Sequence, residues 1–500
     1  MSGEFLFPEM RLSEGLVRDL RRMNPWWEGQ PQAPLPTTQR HLVGAIQQRL
    51  EQRLAPLVLV RGPRQIGKTV AQQQLIERML LSGLPPQHIF RLQCDELPEL
   101  TKLSEPILRL VDWYEDTILG RKLNAVAREG ARTYLFFDEV QNLKDWAPQL
   151  KALVDSTAIQ GVVTGSSALR IEQGRDSLAG RVSTIEAGVL SLTEIANFHG
   201  IELCNPFLPD NGIAALSEQA FWKQLTEYGR DQQTARDRAF DLFASRGGYP
   251  LAHSRPDVPW ADLAAQLNET VIRRVIQHDL RVGERGRKRD PQLLEEIFRM
   301  ACRYVGQSPA PTTLARETQR ALGANVGPQR VLQYLRFLGD TLLLRLIEPL
   351  EIRLKRRRGA AKICLADHGL RASWLGELVP LTLSELAAQP HLSTLAGRIA
   401  ESIVGAMFST IGNLHLTHLP ERREQPEIDF VLTIGTQRIP VEVKFRARID
   451  PHRDTEGLRT FLETTVNQAP FGVLITLDQA PEVTDPRIVA VPLSTVLLLR

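Results

Sequence analysis

The sequence has few cysteines and no long apolar run, and each scarcity excludes a class of protein. Its four cysteines, spread over 500 residues, have none of the close spacings of zinc sites or disulfide-rich secreted domains. No apolar run approaches the roughly 20 residues that a membrane helix needs. The N-terminus also lacks a basic segment followed by an apolar core. We therefore expect a cytoplasmic protein with reduced thiols, no signal peptide and no membrane partner.

The sequence also has little net charge. Its formal charge is only +3, so bulk charge does not predict a nucleic-acid-binding protein. Two local basic clusters, at 281–289 and 355–358, are the exceptions. Either cluster can contact phosphates, and either can equally be a solvated loop. A hydrophobic content of 43% is typical of a soluble globular protein, and a chain of this length predicts about two to four domains.

Short apolar segments alternate with helical periodicity in the first part of the chain. The apolar segments cover 57–60, 134–137 and 161–163, and helical periodicity covers 41–54 and 68–81. Strands that alternate with helices predict an α/β fold, in which helices cover both faces of a parallel sheet.

A phosphate-binding loop is predicted directly after the first strand. Eight residues fit the pattern G-x-x-x-x-G-K-[ST] between a strand and a helix: Gly62, Pro63, Arg64, Gln65, Ile66, Gly67, Lys68 and Thr69. Glycines let backbone N–H groups turn towards phosphate oxygens, and the helix N-terminus adds the positive end of its dipole. Lys68 is expected on the β- and γ-phosphates and Thr69 on Mg²⁺. The loop therefore predicts ATP and Mg²⁺ as ligands.

Acidic, hydroxyl and basic residues follow the later strands. Asp138 ends the second strand and is expected to hold Mg²⁺, while Glu139 can act as a general base on the attacking water. Ser166 follows the third strand and can contact the γ-phosphate, unless it only caps the next helix. Arg181 can be an arginine finger offered to a neighbouring subunit of a homo-oligomer, or an ordinary surface arginine.

These motifs together resemble prokaryotic AAA-superfamily ATPases, in the branch that ends in a domain of unknown function 4143. The segments that carry the resemblance are 62–69, 137–141, 164–167, 178–181, 247–250 and 362–370. The related signalling ATPases use a Gly-x-Pro element of the lid to contact the adenine. The resemblance therefore implies that Gly248 and Pro250 contact the adenine of ATP.

A cluster of carboxylates and a lysine is predicted near the C-terminus. Alternating patterns predict a hairpin that brings Asp429 near Glu442 and Lys444. Such a group can bind a divalent ion and activate water against a phosphodiester. It resembles the restriction-endonuclease-like motif, an Asp followed by Glu-x-Lys, which implies catalytic roles for these three residues. Glu401, on an upstream helix, matches the additional acidic ligand of these folds, so Glu401, Asp429 and Glu442 are the predicted metal ligands.

The alternative for this segment is an exposed hairpin with an ion pair between Glu442 and Lys444, worth at most about 1 kcal/mol. Glu-x-Lys is a common pattern by itself. A fold of this kind can also persist as a binding scaffold without activity.

The whole chain is predicted to be an α/β protein with several parts. We expect an N-terminal lead-in and helix at 1–50, an AAA-type P-loop core at 51–205, a helical lid at 206–290, a winged-helix-like segment at 291–350 and a small restriction-endonuclease-like α/β domain at 351–500. Two functions stay open from the sequence. One is an ATP-regulated nuclease or processing enzyme acting on DNA or RNA, and the other is a nucleotide-switched regulatory protein whose C-terminal domain only binds.

Overall fold

A computed structural model describes residues 12–165, 176–208, 212–277, 290–351, 359–421, 426–477 and 483–500. The chain divides into two compact units. The first contains the residues up to Gly62 together with the segment Gly67–Ala187, and the second contains Pro63–Ile66 and Gly188–Arg500. Within the described ranges, no helix has both the length and the apolar character that crossing a bilayer requires. The basic clusters at 281–289 and 355–358 lie outside the described residues.

A five-stranded parallel sheet forms the centre of the first unit. Its strands are β1 (Leu57–Arg61), β2 (Ile89–Gln93), β3 (Tyr134–Asp138), β4 (Gln160–Gly165) and β5 (Val182–Glu186). The order across the sheet is β2-β3-β4-β1-β5, and every neighbouring pair is parallel. Every side chain of β3 is buried, as expected for a central strand covered on both faces. The predicted parallel α/β fold is therefore confirmed.

Six helices described in this unit flank the sheet. They are α1 (Glu14–Met23), α2 (His41–Gln52), α3 (Lys68–Leu81), α4 (Pro106–Tyr114), α5 (Leu123–Arg128) and α6 (Trp146–Ser156). The sequence analysis anticipated α2 and α3 within two residues. It did not anticipate β2 and β5, the two edge strands of the sheet, because their mixed apolar and polar residues lack a continuous apolar run.

The lead-in after α1 covers the free edge of β2. The Asn24 side chain accepts a hydrogen bond from the backbone N–H of Arg91 at 2.7 Å and donates one to its carbonyl oxygen at 2.9 Å. The Trp27 indole donates to the carbonyl oxygen of Ile89 at 2.8 Å. An uncovered strand edge is a template for unwanted pairing. Asn24 therefore bonds to β2 as a neighbouring strand would.

Helices dominate the first half of the second unit. They are α7 (Leu192–Phe198), α8 (Gln219–Asp231), α9 (Gln233–Arg246), α10 (Pro250–His253), α11 (Trp260–Leu267), α12 (Arg274–Gln277), α13 (Pro291–Arg303), α14 (Pro311–Leu322) and α15 (Pro328–Asp340). An antiparallel pair, β6 (Leu344–Ile347) and β7 (Lys362–Leu365), follows α15. The winged-helix-like assignment of 291–350 stays a prediction. The pairing of β6 with β7 crosses the predicted boundary at 350.

A mixed five-stranded sheet lies at the C-terminal end. Its strands are β8 (His415–Leu419), β9 (Ile428–Ile434), β10 (Gln437–Lys444), β11 (Gly472–Thr476) and β12 (Ile488–Pro492), and the nearby helices are α16 (His368–Leu375), α17 (Leu383–Ala388), α18 (Ser393–Ser409), α19 (Glu456–Glu463) and α20 (Leu493–Val496). The order is β12-β11-β10-β9-β8, antiparallel from β8 to β10 and parallel from β10 to β12. At Gly405 of α18, an added Cβ would lie 2.6 Å from the Cys364 sulfur, so the helix and β7 are in close contact.

We predict that Asn24→Ala destabilises the first unit. The substitution leaves the backbone N–H and carbonyl of Arg91 unpaired in a buried place, at roughly 1–3 kcal/mol for each group. The matched control is Asn124→Ala, because Asn124 bridges two backbone groups in the same manner at an exposed position, where water can replace it. Calorimetry should show a clearly lower melting temperature for Asn24→Ala than for Asn124→Ala. Equal melting temperatures would contradict the edge-covering role.

Candidate functional sites

The predicted phosphate-binding loop is a tight turn between β1 and α3. Gln65 and Gly67 both have left-handed backbone conformations, with φ of 63° and 88°. α3 begins at Lys68, directly after Gly67, and no side chain caps its first turn. The N–H groups of a first helical turn have no partner within the helix and attract anions. The geometry of the loop therefore suits a phosphate.

The side chain of Lys68 lies along this turn. It is only 5% exposed, and its Nζ donates a hydrogen bond to the carbonyl oxygen of Gly62 at 2.9 Å. The ammonium group is thus held against the loop. A lysine in this place can pair with the β- and γ-phosphates of a bound nucleotide.

Asp138 lies at the carboxyl end of β3, beside β4 in the sheet. Its buried carboxylate accepts a hydrogen bond from the Thr164 hydroxyl and is also hydrogen-bonded to Thr69. Burial raises the pKa of Asp138, and the hydrogen bonds from Thr164 and Thr69 oppose that shift. The network joins the end of β3 to the first turn of α3.

The donor set of this network fits Mg²⁺. Asp138 Oδ2 is buried and has no hydrogen-bond partner among the described residues. The Arg91 guanidinium lies 3.8 Å from it, beyond hydrogen-bond distance. Mg²⁺ prefers oxygen ligands and is commonly held by one carboxylate, a hydroxyl and the phosphates of its nucleotide. Asp138 and Thr69 supply these two protein oxygens.

Glu139 follows β3 immediately and has a left-handed backbone with φ of 49°. Its N–H donates to the Thr164 hydroxyl at 3.3 Å, and its carboxylate accepts a hydrogen bond from Gln141 at 2.5 Å. The left-handed region is unfavourable for residues other than glycine, so the surrounding hydrogen bonds must maintain this turn. They fix the half-buried carboxylate beside the end of β3.

For two other predicted residues of this unit, a role at the phosphate loop stays a prediction. Ser166 lies outside the described residues. The Arg181 guanidinium binds the carboxylate of Asp155, on α6 of the same chain, at 2.5 and 3.0 Å. Arg181 must leave Asp155 before it can act on another subunit, so its role as a finger stays a prediction.

Gly248 and Pro250 lie in the second unit. The N–H of Gly248 donates to both carboxylate oxygens of Asp367 at 3.1 Å, and its carbonyl accepts the N–H of Leu190 at 2.7 Å. Pro250 begins α10. The adenine contact of Gly248 and Pro250 stays a prediction.

The C-terminal carboxylates are buried in the hairpin of β9 and β10. Asp429 is 6% exposed and Glu442 is 7% exposed, so the alternative of an exposed ion pair does not apply. Asp429 Oδ2 accepts the N–H of Val443 at 2.9 Å, and Lys444 Nζ donates to Glu442 Oε1 at 2.5 Å. The structure thus brings the three predicted residues of the motif into one buried region.

The sequence analysis missed Lys362 as a member of this region. This lysine starts β7, has no exposed surface, and places its Nζ 2.6 Å from Asp429 and 2.9 Å from Glu401. Burial alone would raise the pKa of Asp429, but the neighbouring ammonium of Lys362 outweighs it and lowers that pKa. The signal that could have identified Lys362 was its place as a lysine at the start of the otherwise apolar strand 362–365.

The predicted metal ligands do not fit a divalent ion in this arrangement. Both oxygens of Asp429 already accept hydrogen bonds, and the ammonium of Lys362 links Asp429 to Glu401. Within the described part of the chain, no group of three or more His, Cys, Asp or Glu residues is arranged to hold a metal ion. The metal-binding role of Glu401, Asp429 and Glu442 therefore stays a prediction.

Glu442 is a buried acid beside a charged neighbour. Burial raises its pKa to about 8, the negative charge of Asp429 adds to the shift, and Lys444 opposes it. Its Oε2 has no hydrogen-bond partner among the described residues. Glu442 is therefore expected to be neutral around pH 7.

Glu442 predicts a pH dependence of stability. The pKa of Glu442 in the folded protein lies above its usual 4.5, so folding favours the protonated carboxyl group. The stability that this group contributes is fully present below about pH 4.5 and is lost as the pH rises through about 8. Glu442→Gln removes this titration, so its stability relative to the wild type should improve between pH 5 and 8 and stay constant above. Thermal melts in EDTA measure this difference. Glu463→Gln, whose side chain is 68% exposed, is the control, and parallel pH profiles for wild type and Glu442→Gln would contradict the assignment.

Three segments of the chain match family models. Residues 55–196 match the model for AAA domains, residues 237–378 match a domain of unknown function (DUF8612) and residues 396–496 match another (DUF4143). The AAA segment contains the phosphate loop, Asp138 and Glu139. The DUF4143 segment contains Asp429 and the other predicted C-terminal site residues. Lys362 lies instead in the DUF8612 segment.

Curated relatives extend beyond the region of similarity. Uncharacterized proteins of Mycobacterium tuberculosis and Mycobacterium bovis are each 24% identical over 329 residues, which are 64% of this chain and 56% of theirs. The chain thus spans little more than half the length of these relatives.

Solved structures resemble the chain only loosely. The Walker-type ATPase of Pyrococcus abyssi has a TM-score of 0.37 at 14% identity and covers 69% of this chain and 99% of its own. Drosophila ORC bound to DNA has a TM-score of 0.24 at 13% identity, over 75% and 95% of the two chains. Both scores are too low to inform function. The family matches confirm the predicted resemblance: this chain combines an AAA domain at residues 55–196 with a C-terminal DUF4143 domain at residues 396–496.

Proposed function

We propose that this protein is a Mg²⁺-dependent ATPase whose nucleotide state controls its C-terminal domain. AAA domains bind and hydrolyse ATP, so the match over residues 55–196 supports ATP binding and, at the level of the family, ATPase activity. The observation that carries the proposal is the hydrogen-bonded group of Thr69, Asp138 and Thr164 beside the phosphate loop.

Each side chain of this site has a proposed role in hydrolysis. Lys68 and the first turn of α3 bind the β- and γ-phosphates. Thr69 and Asp138 would hold Mg²⁺, which would neutralise phosphate charge. Glu139 accepts a proton from the water that attacks the γ-phosphorus. The bond from this phosphorus to the bridging oxygen breaks, and ADP and phosphate are released.

Further roles follow from the resemblance and depend on the bound state. Gly248 and Pro250 contact the adenine, while Ser166, because of its place after the third predicted strand, contacts the γ-phosphate. Arg181 releases Asp155 and contacts the phosphates of a neighbouring subunit in a homo-oligomer. The exposed position of Arg181, whose side chain is 32% exposed, is compatible with such an exchange of partners.

Nucleotide control is supported by the two ends of β7. Lys362, the first residue of β7, contacts Asp429. Asp367, two residues beyond the strand, accepts the N–H of Gly248 at 3.1 Å. A packed, rigid element with two arrangements can carry coupling between sites. A shift of the Gly248 segment on ATP binding would therefore move Lys362 relative to the carboxylates.

The C-terminal domain is proposed to act on or bind nucleic acid, with a restriction-endonuclease-like fold. The order α18, β8, β9, β10, α19, β11 and the position of Asp429, Glu442 and Lys444 on adjacent strands support this assignment. The alternative is a nucleotide-switched interaction protein without nuclease activity. The contact of Lys362 with Asp429 favours that alternative, because an ammonium group there competes with a divalent ion.

We predict that Lys68→Ala loses tight ATP binding, because it removes the side-chain cation placed on the phosphates.

Glu139→Gln should bind ATP normally but hydrolyse it at least roughly 100-fold more slowly, since the glutamine amide cannot act as a base. Calorimetry and phosphate release measure the two effects. Lys144→Ala, whose lysine side chain is 92% exposed, is the control. A folded Lys68→Ala with near wild-type affinity, or unchanged turnover in Glu139→Gln, would refute the respective role.

We predict that the full chain, loaded with ATP, cleaves plasmid DNA or RNA in the presence of Mg²⁺ or Mn²⁺. Asp429→Ala and Lys444→Ala should abolish cleavage while ATP binding survives, since both residues lie outside the AAA segment. Glu463→Ala, with a side chain 68% exposed in the same domain, is the control. Absence of cleavage with and without ATP would support the interaction protein instead.

A further inference from the structure

A lysine ammonium group is enclosed among carboxylates in the C-terminal domain. Lys362 Nζ lies 2.6 Å from Asp429 Oδ1, 2.9 Å from Glu401 Oε2 and 3.5 Å from Glu427 Oε1. It also lies 5.2 Å from the centre of the Phe430 ring, within the range of a cation–π interaction. Lys362 has no exposed surface, so these groups replace its hydration.

The contacts of Lys362 are those that a metal cation would seek. A buried charge is tolerated only when partners of opposite charge compensate it. The oxygens of Asp429 and Glu401 are also the ligand type that divalent ions prefer. Since Lys362 binds both, an ion placed between them would meet a positive charge at contact distance. The ammonium and the ion therefore compete for the same place.

Glu442 supplies an independent sign that a ligand belongs beside this pair. Its Oε2 is buried and has no hydrogen-bond partner in the described part of the chain, while Oε1 is held by Lys444. Glu442 and Asp429 lie on adjacent strands of one hairpin. The Oε2 atom of Glu442 is therefore a buried acceptor without a donor, on the strand next to the one that carries Asp429.

We propose that the ammonium group of Lys362 is a tethered counter-ion, which occupies the place of a divalent cation between Asp429 and Glu401 and keeps the C-terminal site free of metal while it stays there. Its tether is β7, so the ammonium competes at the high effective concentration of an intramolecular group. The inference deepens the proposed function and rests on it only in treating the C-terminal domain as a nucleic-acid domain under nucleotide control.

The test is a titration of Mn²⁺ into the full chain without nucleotide, followed by calorimetry and by the electron paramagnetic resonance signal of free Mn²⁺. The variants are Lys362→Met, Asp429→Asn, the double variant with both substitutions, and Lys362→Arg, which keeps the charge. Lys444→Met is the matched control, because Lys444 contacts Glu442 instead. Thermal melts in EDTA establish that each variant is folded.

We expect the wild type to show no Mn²⁺ binding that depends on Asp429. Lys362→Met should gain one Mn²⁺ per chain, bound at least about 10-fold more tightly than any wild-type site, because a repulsive charge at contact distance is gone. The double variant should lose this gain, and Lys362→Arg and Lys444→Met should not acquire it.

Three results would overturn the inference. The first is Mn²⁺ binding to the wild type that Asp429→Asn abolishes. This comparison does not depend on whether any Lys362 variant folds. The second is a folded Lys362→Met that gains no site. The third is an equal gain in Lys444→Met, which would make the effect one of general charge.

Failure of the inference can be distinguished from failure of the proposed function by cleavage and ATPase assays on the same proteins. If Lys362→Met gains the Mn²⁺ site but neither protein cuts nucleic acid or responds to ATP, the inference stands and the proposed function of the C-terminal domain fails. If the wild type cuts DNA without nucleotide and binds Mn²⁺ through Asp429, the proposed domain function stands and the inference fails.

Discussion

The position of β4 between β1 and β3 is the constraint on which the nucleotide site depends. Because these three strands are parallel, their carboxyl ends lie at the same edge of the sheet. Thr164 of β4 therefore lies between the loop that follows β1 and Asp138 at the end of β3. Its hydroxyl and that of Thr69 donate hydrogen bonds to the Asp138 carboxylate and so reduce the cost of burying it. Another strand order would separate the phosphate loop from its acidic residues.

Charge balance has the same importance in the C-terminal domain. The carboxylate of Asp429 pairs with the ammonium of Lys362, and both side chains have little or no exposed surface. Removal of one member of a buried ion pair typically costs about 3–5 kcal/mol, whereas replacement of the whole pair can be neutral. The carboxylates that suit a metal are therefore also part of what stabilises the domain. Metal affinity and stability are linked through the same oxygens.

Close packing requires glycine at the two positions before Tyr249 and Pro250, whatever their role in adenine recognition. Gly247 has φ of 73°, and an added Cβ would lie 2.6 Å from a carboxylate oxygen of Asp367. An added Cβ at Gly248 would lie 2.7 Å from the side chain of Val189. This segment is thus tightly enclosed, and Asp367 connects it to the end of β7. Small changes in such a packed contact are transmitted and not absorbed.

Local pattern was enough to predict the phosphate loop and much of the α/β core. Lys68 was recognisable from the G-x-x-x-x-G-K-[ST] pattern, and Asp138 and Glu139 were recognisable because they come at and directly after the end of a short apolar strand. Both signals are local properties of the sequence. By itself the sequence therefore determined the central strands β1, β3 and β4, the helices α2 and α3, and the chemistry of the residues that follow these strands. Only the tertiary structure decided that Lys362 reaches Asp429, 67 positions away, and that Asp155 binds Arg181. The reason is that a charged side chain is stabilised by partners within about 3–4 Å, and the fold brings these partners from segments that are distant in the sequence. A local sequence pattern cannot identify them.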